Sequence, residues 1–264
     1  MTLKDIRQIT EDSSVSIDDR IEAVFKLMDE HGDDGKDAMG YLALIDMIEG
    51  ENAIATHVLE LMQLYTLLAE ACEESKEYRE MEDISVRVRA VLRDERIAWD
   101  VIEATVPRII EAMESTVYNH ETYRLLLAYV HSAFINGKLG PEMKGRVRRL
   151  LKLNILLEDN SWFSHWIEND MREAIASLFT PDELLKIILN PTIGHLKADP
   201  VEYTYRWEEI YYDVEEKLNR RFDGVRRHMG FCFKLWSVKR ELLKNEYGIE
   251  WRSPAQMNPR VMFD

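Results

Sequence analysis

The sequence predicts an all-α protein. Glycine (11) and proline (7) are scarce in 264 residues, and most of them stand at the ends of stretches with helical periodicity. Within those stretches apolar residues recur three and four positions apart, as on one face of an α-helix. We predict about ten or eleven helices in antiparallel pairs. They would form a compact bundle or a short irregular α-superhelix with an ordered non-helical C-terminal tail.

One segment departs from this pattern. Residues 84–89 alternate apolar and polar side chains like a strand, but no second strand-like segment exists to pair with them. The same residues also fit a helical face, so we expect helix there.

The first half of the chain begins with a polar stretch, residues 1–16, which we expect to be a loose lead-in. Ser16 and Asp19 then form a capping-box-like start to a helix. The third predicted helix, roughly 52–74, is apolar over more than half of its circumference, which is typical of a central helix. Pro107 is expected to break or restart the chain.

The second half carries the clearest helix signal, Thr180-Pro181-Asp182-Glu183, with a cap residue, proline at the first position and glutamate at the third. The loop 191–200 is the best internal boundary. It separates an acidic-to-mixed helical region, 17–190, from a C-terminal helical hairpin, 191–248, which we expect to pack on the same domain. Large apolar residues in 249–264 predict a docked tail.

Charge and composition exclude several classes of protein. The net charge is −15, and residues 1–132 carry −16 of it while residues 133–264 carry +1. An acidic surface repels phosphate backbones, so nucleic acid is an unlikely partner. Two distant cysteines form no disulfide framework, and neither an apolar leader nor a membrane-length apolar run is present. We therefore expect a cytoplasmic protein.

No motif in the sequence predicts a metal or a cofactor. Glycine-rich phosphate loops, paired Cys-x-x-Cys and His-Glu-x-x-His motifs are missing, and no histidine has glutamate three positions before it. We therefore expect no cofactor, no metal site and no catalytic residues.

The most suggestive local pattern lies near residue 165. On a helix, indole, imidazole, amide and carboxylate groups would share one side, supplied by Trp162, His165, Trp166, Asn169 and Glu173. Such a face could line a ligand or peptide pocket. The alternative is that both tryptophans pack against a neighbouring helix.

Two further patterns concern helix surfaces. Tyr205 and Tyr212 are expected on the polar side of their helix, where tyrosines favour interfaces. Arg148, Arg149 and Lys152 form a basic arc that we expect to be solvated, or paired internally with the acidic first half. Arg148→Ala should then change stability by no more than about 0.5 kcal/mol.

These observations favour a non-catalytic helical scaffold or adaptor that binds a protein or peptide. The alternative is an enzyme or small-ligand receptor with a site around Trp162, His165 and Trp166. The sequence does not identify the partner, the substrate or the oligomeric state.

Overall fold

Helices account for most of the computed structural model, which describes residues 3–31, 37–75, 78–94, 96–116, 120–157, 169–189 and 196–263. The described residues contain no strand, which confirms the all-α fold. Thirteen α-helices occur in them, slightly more than expected. They are α1 (Leu3–Thr10), α2 (Ile17–His31), α3 (Asp37–Gly50), α4 (Val58–Ser75), α5 (Tyr78–Asp94), α6 (Trp99–Ala112), α7 (His120–Ile135), α8 (Lys144–Leu157), α9 (Asn169–Ser177), α10 (Pro181–Leu189), α11 (Tyr205–Arg221), α12 (Phe231–Tyr247) and α13 (Pro254–Met257).

The chain divides into two compact units, residues 1–132 and 133–264. We expected the boundary at 191–200, but it falls inside α7. Neither glycine nor proline occurs within that helix, so the chain carries no local signal for the division. The charge asymmetry follows the units closely, because the first holds −16 and the second +1.

The start of unit 1 is more ordered than the expected loose lead-in. Residues 3–10 form α1, which packs against α2 and α3 and buries Ile6 completely. Arg20 on α2 donates to the backbone oxygen of Thr10 at 2.9 Å and pairs with Glu51. The burial of Ile6 and the hydrogen bond from Arg20 to Thr10 hold this segment in place, although its own sequence is mostly polar.

Helix α4 is central in unit 1, as predicted. It packs against α3, α5 and α6. Eight of its residues are buried, on more than one side of the helix: Leu61, Met62, Leu64, Tyr65, Thr66, Leu68, Ala69 and Cys72. Residues 84–89 lie within α5 and are helical.

Helix α6 continues through Pro107, where a break was expected. The proline has no N–H to donate to the carbonyl of Glu103, so one helical hydrogen bond is lost. Val106, Pro107 and Ile110 are buried, and α6 packs against α4. Burial of this apolar face offsets the lost bond.

Both predicted capping boxes form hydrogen bonds at the start of their helices in the structure. The Ser16 hydroxyl accepts from the backbone N–H of Asp19 at 3.1 Å, at the start of α2. The backbone N–H of Thr180 donates to the Glu183 carboxylate at 2.8 Å, and the N–H of Glu183 donates to the Thr180 hydroxyl at 3.3 Å. The reciprocal pair satisfies two N–H groups that the first turn of α10 leaves free.

The basic arc of α8 is buried, which corrects the expectation of a solvated face. Arg148, Arg149 and Lys152 are 3%, 1% and 4% exposed. Helix α8 packs against α10 and α11, and nine of its residues are buried, so polar and apolar positions alike face protein. The internal pairing that we also considered occurs, but its described partners belong to unit 2.

The described counter-charge is Glu208 of α11, which is 2% exposed. It accepts from Arg148 Nη1 at 2.5 Å and from Lys152 Nζ at 2.8 Å. Lys152 also donates to the backbone oxygen of Glu202, and burial lowers its pKa. The Arg148 guanidinium lies 3.3 Å from the centroid of the Tyr211 ring. We call Arg148, Glu208 and Lys152 the buried ion triad.

The segment after α12 packs on the core of unit 2. Ile249 and Trp251 are each 4% exposed and belong to the same apolar cluster as Trp207. The Trp251 indole N–H donates to the Glu202 carboxylate at 2.7 Å, and the backbone N–H of Arg252 donates to Asp199 at 2.7 Å. The tail therefore contacts residues 199–207.

The tail is not wholly non-helical. Residues 254–257 form one helical turn, α13, which begins with Pro254 at its first position. Ser253 and Gln256 form a capping box there, since the Ser253 N–H donates to Gln256 at 3.0 Å and the Gln256 N–H donates to Ser253 at 3.4 Å. Proline begins this turn because a first helical residue needs no N–H bond.

We expect Leu61→Ala to lower the free energy of unfolding by about 2–5 kcal/mol, because Leu61 is 0% exposed on the central helix. Leu59→Ala is the matched control on the same helix, since Leu59 is 49% exposed, and it should stay within about 0.5 kcal/mol of the wild type. Urea titration of both variants measures the difference. Equal effects would contradict the assignment of the core.

Glu208→Gln should cost about 3–5 kcal/mol of unfolding free energy, because it leaves Arg148 and Lys152 buried without a counter-charge. The neighbouring Glu209 is exposed, so Glu209→Gln is the control. Arg148→Ala should also destabilise, which replaces the near-neutral effect expected from the sequence. The role of the triad would be refuted if Glu208→Gln and Arg148→Ala melted at the same temperature as the wild type, as the control Glu209→Gln is expected to do.

Trp251→Ala should lower stability by about 3–5 kcal/mol, because it opens the core cluster of unit 2 and removes a hydrogen bond to Glu202. Met262→Ala, at a residue 96% exposed, should leave the melting temperature unchanged. If Trp251→Ala melts like the wild type, the tail contributes nothing to the core.

Candidate functional site

The site predicted near residue 165 is only partly within the described residues. Trp162, His165 and Trp166 lie outside them. Asn169 and Glu173 lie on α9, and both are exposed. The structure therefore does not test whether these five side chains line a pocket, and that site stays a prediction.

Tyr205 and Tyr212 are half-buried rather than exposed, which differs from the expectation for the polar side of α11. The Arg146 guanidinium lies over the Tyr205 ring at 5.2 Å, and the Lys144 ammonium lies over the Tyr212 ring at 4.8 Å. The two tyrosines are seven positions apart, which places them on one face of α11. That face packs against cations of α8.

A cavity of about 250 Å³ lies beside Tyr212 in unit 2, lined by residues of α8, α10 and α11. Arg148 occupies one face of Tyr211 and Lys144 one face of Tyr212. The carboxylates of Glu183 and Glu215 are paired with lysines. These internal contacts already use much of the chemistry that a ligand would need.

A larger groove, of about 360 Å³, lies in unit 1. Helices α3 and α5 both pack against α4, and the groove opens above α4 between them. Its floor consists of buried side chains from the three helices, namely Ile45, Tyr65, Leu68, Cys72 and Ile84. Met39 and Leu42 form its apolar wall, and Leu42 is 39% exposed.

One end of this groove is closed by a polar network. Arg87 of α5 donates to Asp46 at 2.7 Å and to Glu49 at 3.1 Å, both on α3. Tyr65 donates its hydroxyl proton to Glu49, and burial together with this bond raises the pKa of Tyr65. The network ties α3 to α5 and fixes the width of the groove.

The rim of the groove is acidic. Asp46, Glu80 and Asp83 lie on its lining and are exposed, while Arg87 is the one cation among the described residues that line the groove. Arg87 is already paired with two carboxylates, so the remaining rim charge is negative. The groove therefore combines an apolar interior with a negative edge, in a unit whose net charge is −16.

Sequence reasoning missed this groove. Met39, Leu42 and Ile45 recur at helical spacing, which indicates a buried face but does not distinguish a core position from a groove wall. The sequence carried one indication of the groove, which is that α3 is apolar on most sides. Its apolar residues Leu42, Leu44, Ile45 and Met47 are distributed around the helix. A short helix of that kind has more apolar surface than one neighbour covers.

Two other functional features, a metal-binding cluster and a membrane-spanning helix, are absent from the described residues. Within the described residues, no group of three or more histidine, cysteine, aspartate or glutamate side chains could hold a metal ion. None of the described helices has the length and apolar content needed to cross a membrane.

Comparison with known proteins does not assign the chain to a family. Neither the protein-family models, nor the curated proteins, nor the solved structures that were searched contain a match to the chain.

Proposed function

We propose that this protein is a non-catalytic helical adaptor that binds a basic, amphipathic helical segment of a partner protein in the groove of unit 1. The observation that carries the proposal is the combination of an apolar floor and wall with an acidic rim. An amphipathic helix laid into an apolar groove is a common mode of peptide recognition. The cytoplasm, where a buried free thiol such as Cys72 stays reduced, is the location we propose.

The dimensions of the groove match a short helical contact. On α3 the groove is lined by residues that include Met39 and Asp46, and a rise of seven residues along a helix is about 10 Å. That length corresponds to about two helical turns of a partner. Two apolar side chains spaced three or four residues apart would fill it.

The charge of the groove selects the sign of the partner. Lysine or arginine residues beside the apolar anchors would face Glu80 and Asp83, the rim carboxylates that are not paired with Arg87. Rim charges of this kind mainly raise the association rate and discriminate against acidic partners. Binding should therefore weaken as salt concentration rises.

The second proposal is an enzyme or small-ligand receptor with a site around Trp162, His165 and Trp166. Of its five proposed residues, the structure describes only Asn169 and Glu173, and their exposure is compatible with a surface site. The groove is the better supported site because described residues form the apolar floor and the acidic rim on which the proposal rests.

The test is a fluorescence anisotropy titration of the full chain with a labelled model peptide. The peptide carries leucine at helical spacing and lysine elsewhere, and a second peptide has every lysine replaced by glutamate. We expect the basic peptide to bind and the acidic peptide not to bind at this groove. Leu42→Lys should weaken binding about tenfold or more, since it places a cation in the apolar wall.

Matched controls come from the same unit. Leu59→Lys changes an exposed leucine outside the groove and should leave affinity unchanged. Asp83→Lys should weaken binding several-fold, whereas Asp29→Lys makes the same charge change on exposed α2 and should have a smaller effect. Equal losses for Leu42→Lys and Leu59→Lys, or no binding of the basic peptide, would refute the groove as the site.

A further inference from the structure

A second surface, in unit 2, is also apolar, but it projects into solvent among basic residues, whereas the groove is recessed and has an acidic rim. It is formed by the connection between α11 and α12, residues 222–230, and by the first turn of α12. Large apolar side chains are exposed there, and the exposed fractions of Val225, Met229 and Phe233 are 40%, 83% and 50%. A methionine that is 83% exposed has almost no protein neighbours, so it projects into solvent.

The projecting residues stand on a packed aromatic base. The rings of Phe222 and Phe231, at the two ends of the connection, meet edge to face with centroids 5.1 Å apart. Trp236 contacts Phe233 at 5.5 Å and Phe263 at 5.2 Å, also edge to face. The chain turns at Gly224 and Gly230, whose positive φ angles of 68° and 81° suit glycine.

Basic residues are concentrated in the same segment of the chain as these apolar side chains. Residues 220–234 contain five basic residues and one acidic residue, a net charge of +4 in a chain of net −15. All five basic residues are exposed: Arg220, Arg221, Arg226, Arg227 and Lys234. Arg260, close in sequence to Phe263, is exposed as well. We call Val225, Arg226, Arg227, Met229 and Phe233 the basic apolar patch.

The shape of the patch favours a deformable partner. A protein partner would need a recess for each projecting side chain, whereas lipid headgroups and acyl chains rearrange around them. Apolar and aromatic side chains enter the interfacial region of a bilayer, and adjacent arginines are attracted to anionic lipid headgroups. Projecting apolar residues beside clustered cations therefore favour binding to the surface of an anionic bilayer.

We propose that the basic apolar patch docks the protein on an anionic lipid bilayer. Met229, Val225 and Phe233 enter the interfacial region, while Arg226 and Arg227 lie against lipid phosphates and carboxylates. The contact is peripheral, because it uses one loop and one helical turn. The site is separate from the peptide groove and does not depend on the function proposed for it.

The test is co-sedimentation of the full chain with sucrose-loaded vesicles. One set contains phosphatidylcholine with about 30% phosphatidylserine, and the other contains phosphatidylcholine alone. We expect binding to the anionic vesicles only, and a large decrease between about 0.1 M and about 0.5 M salt. Met229→Glu and the double variant Arg226→Glu/Arg227→Glu should each lower the partition coefficient about tenfold or more.

Controls in unit 2 separate this site from general charge and exposure effects. Ile135 is 67% exposed outside the patch, so Ile135→Glu matches Met229→Glu. Lys138→Glu/Lys186→Glu matches the double arginine variant, because both lysines are exposed. Both control variants should sediment with anionic vesicles almost as the wild type does.

Three results would overturn the proposal. The first is that the wild type stays in the supernatant with anionic vesicles. The second is that the patch variants and their controls lose binding equally. The third is evidence that the surface is a protein interface, given either by an oligomer in light scattering without lipid that Met229→Glu dissociates or by binding of an acidic peptide without binding of vesicles.

Discussion

The burial of Glu208 between two cations is the constraint on which unit 2 depends. A carboxylate removed from water must be compensated locally, and Arg148 and Lys152 provide that compensation from two positions one helical turn apart on α8. The approach of the two helices is close, since a Cβ on Gly145 would lie 3.4 Å from the backbone oxygen of Glu208. The triad therefore fixes the position of α8 against α11, because a displacement along either helix would leave a buried charge unpaired.

Other features of unit 2 follow from that position. Arg149 of α8 donates to the backbone oxygen of Tyr203 at 2.7 Å, and Lys152 donates to that of Glu202, so the turn before α11 is held by the same helix. The Glu202 carboxylate in turn accepts from the Trp251 indole. Charge burial, helix register and tail packing are thus connected through neighbouring residues, and α8 becomes a helix buried on nearly all sides.

Unit 1 is organised by apolar packing instead. Its central helix buries leucine, methionine and tyrosine side chains against three neighbours, and ion pairs such as that of Arg87 with Asp46 lie at the periphery. Because α3 and α5 are separated above α4, the packing leaves an apolar groove whose rim retains the negative charge of the unit. The two units therefore present different surfaces, an acidic groove in one and a cationic, apolar projection in the other. These are the surfaces on which the two functional proposals rest.

The sequence by itself determined the helical elements. Local periodicity and capping residues act over three or four positions, so the all-α fold, the start of α10 at Thr180 and the central character of α4 were predictable. Tertiary structure decided which sides of the helices are covered. Arg148 and Lys152 have the pattern of a solvated arc, and partners distant in sequence, above all Glu208, make their burial favourable. Pro107 remains helical because it lies on a buried face of α6. The exposure of Leu42 at the groove wall and of Met229 likewise depends on how far neighbouring helices extend over them. The pattern of apolar residues along the sequence does not determine that extent.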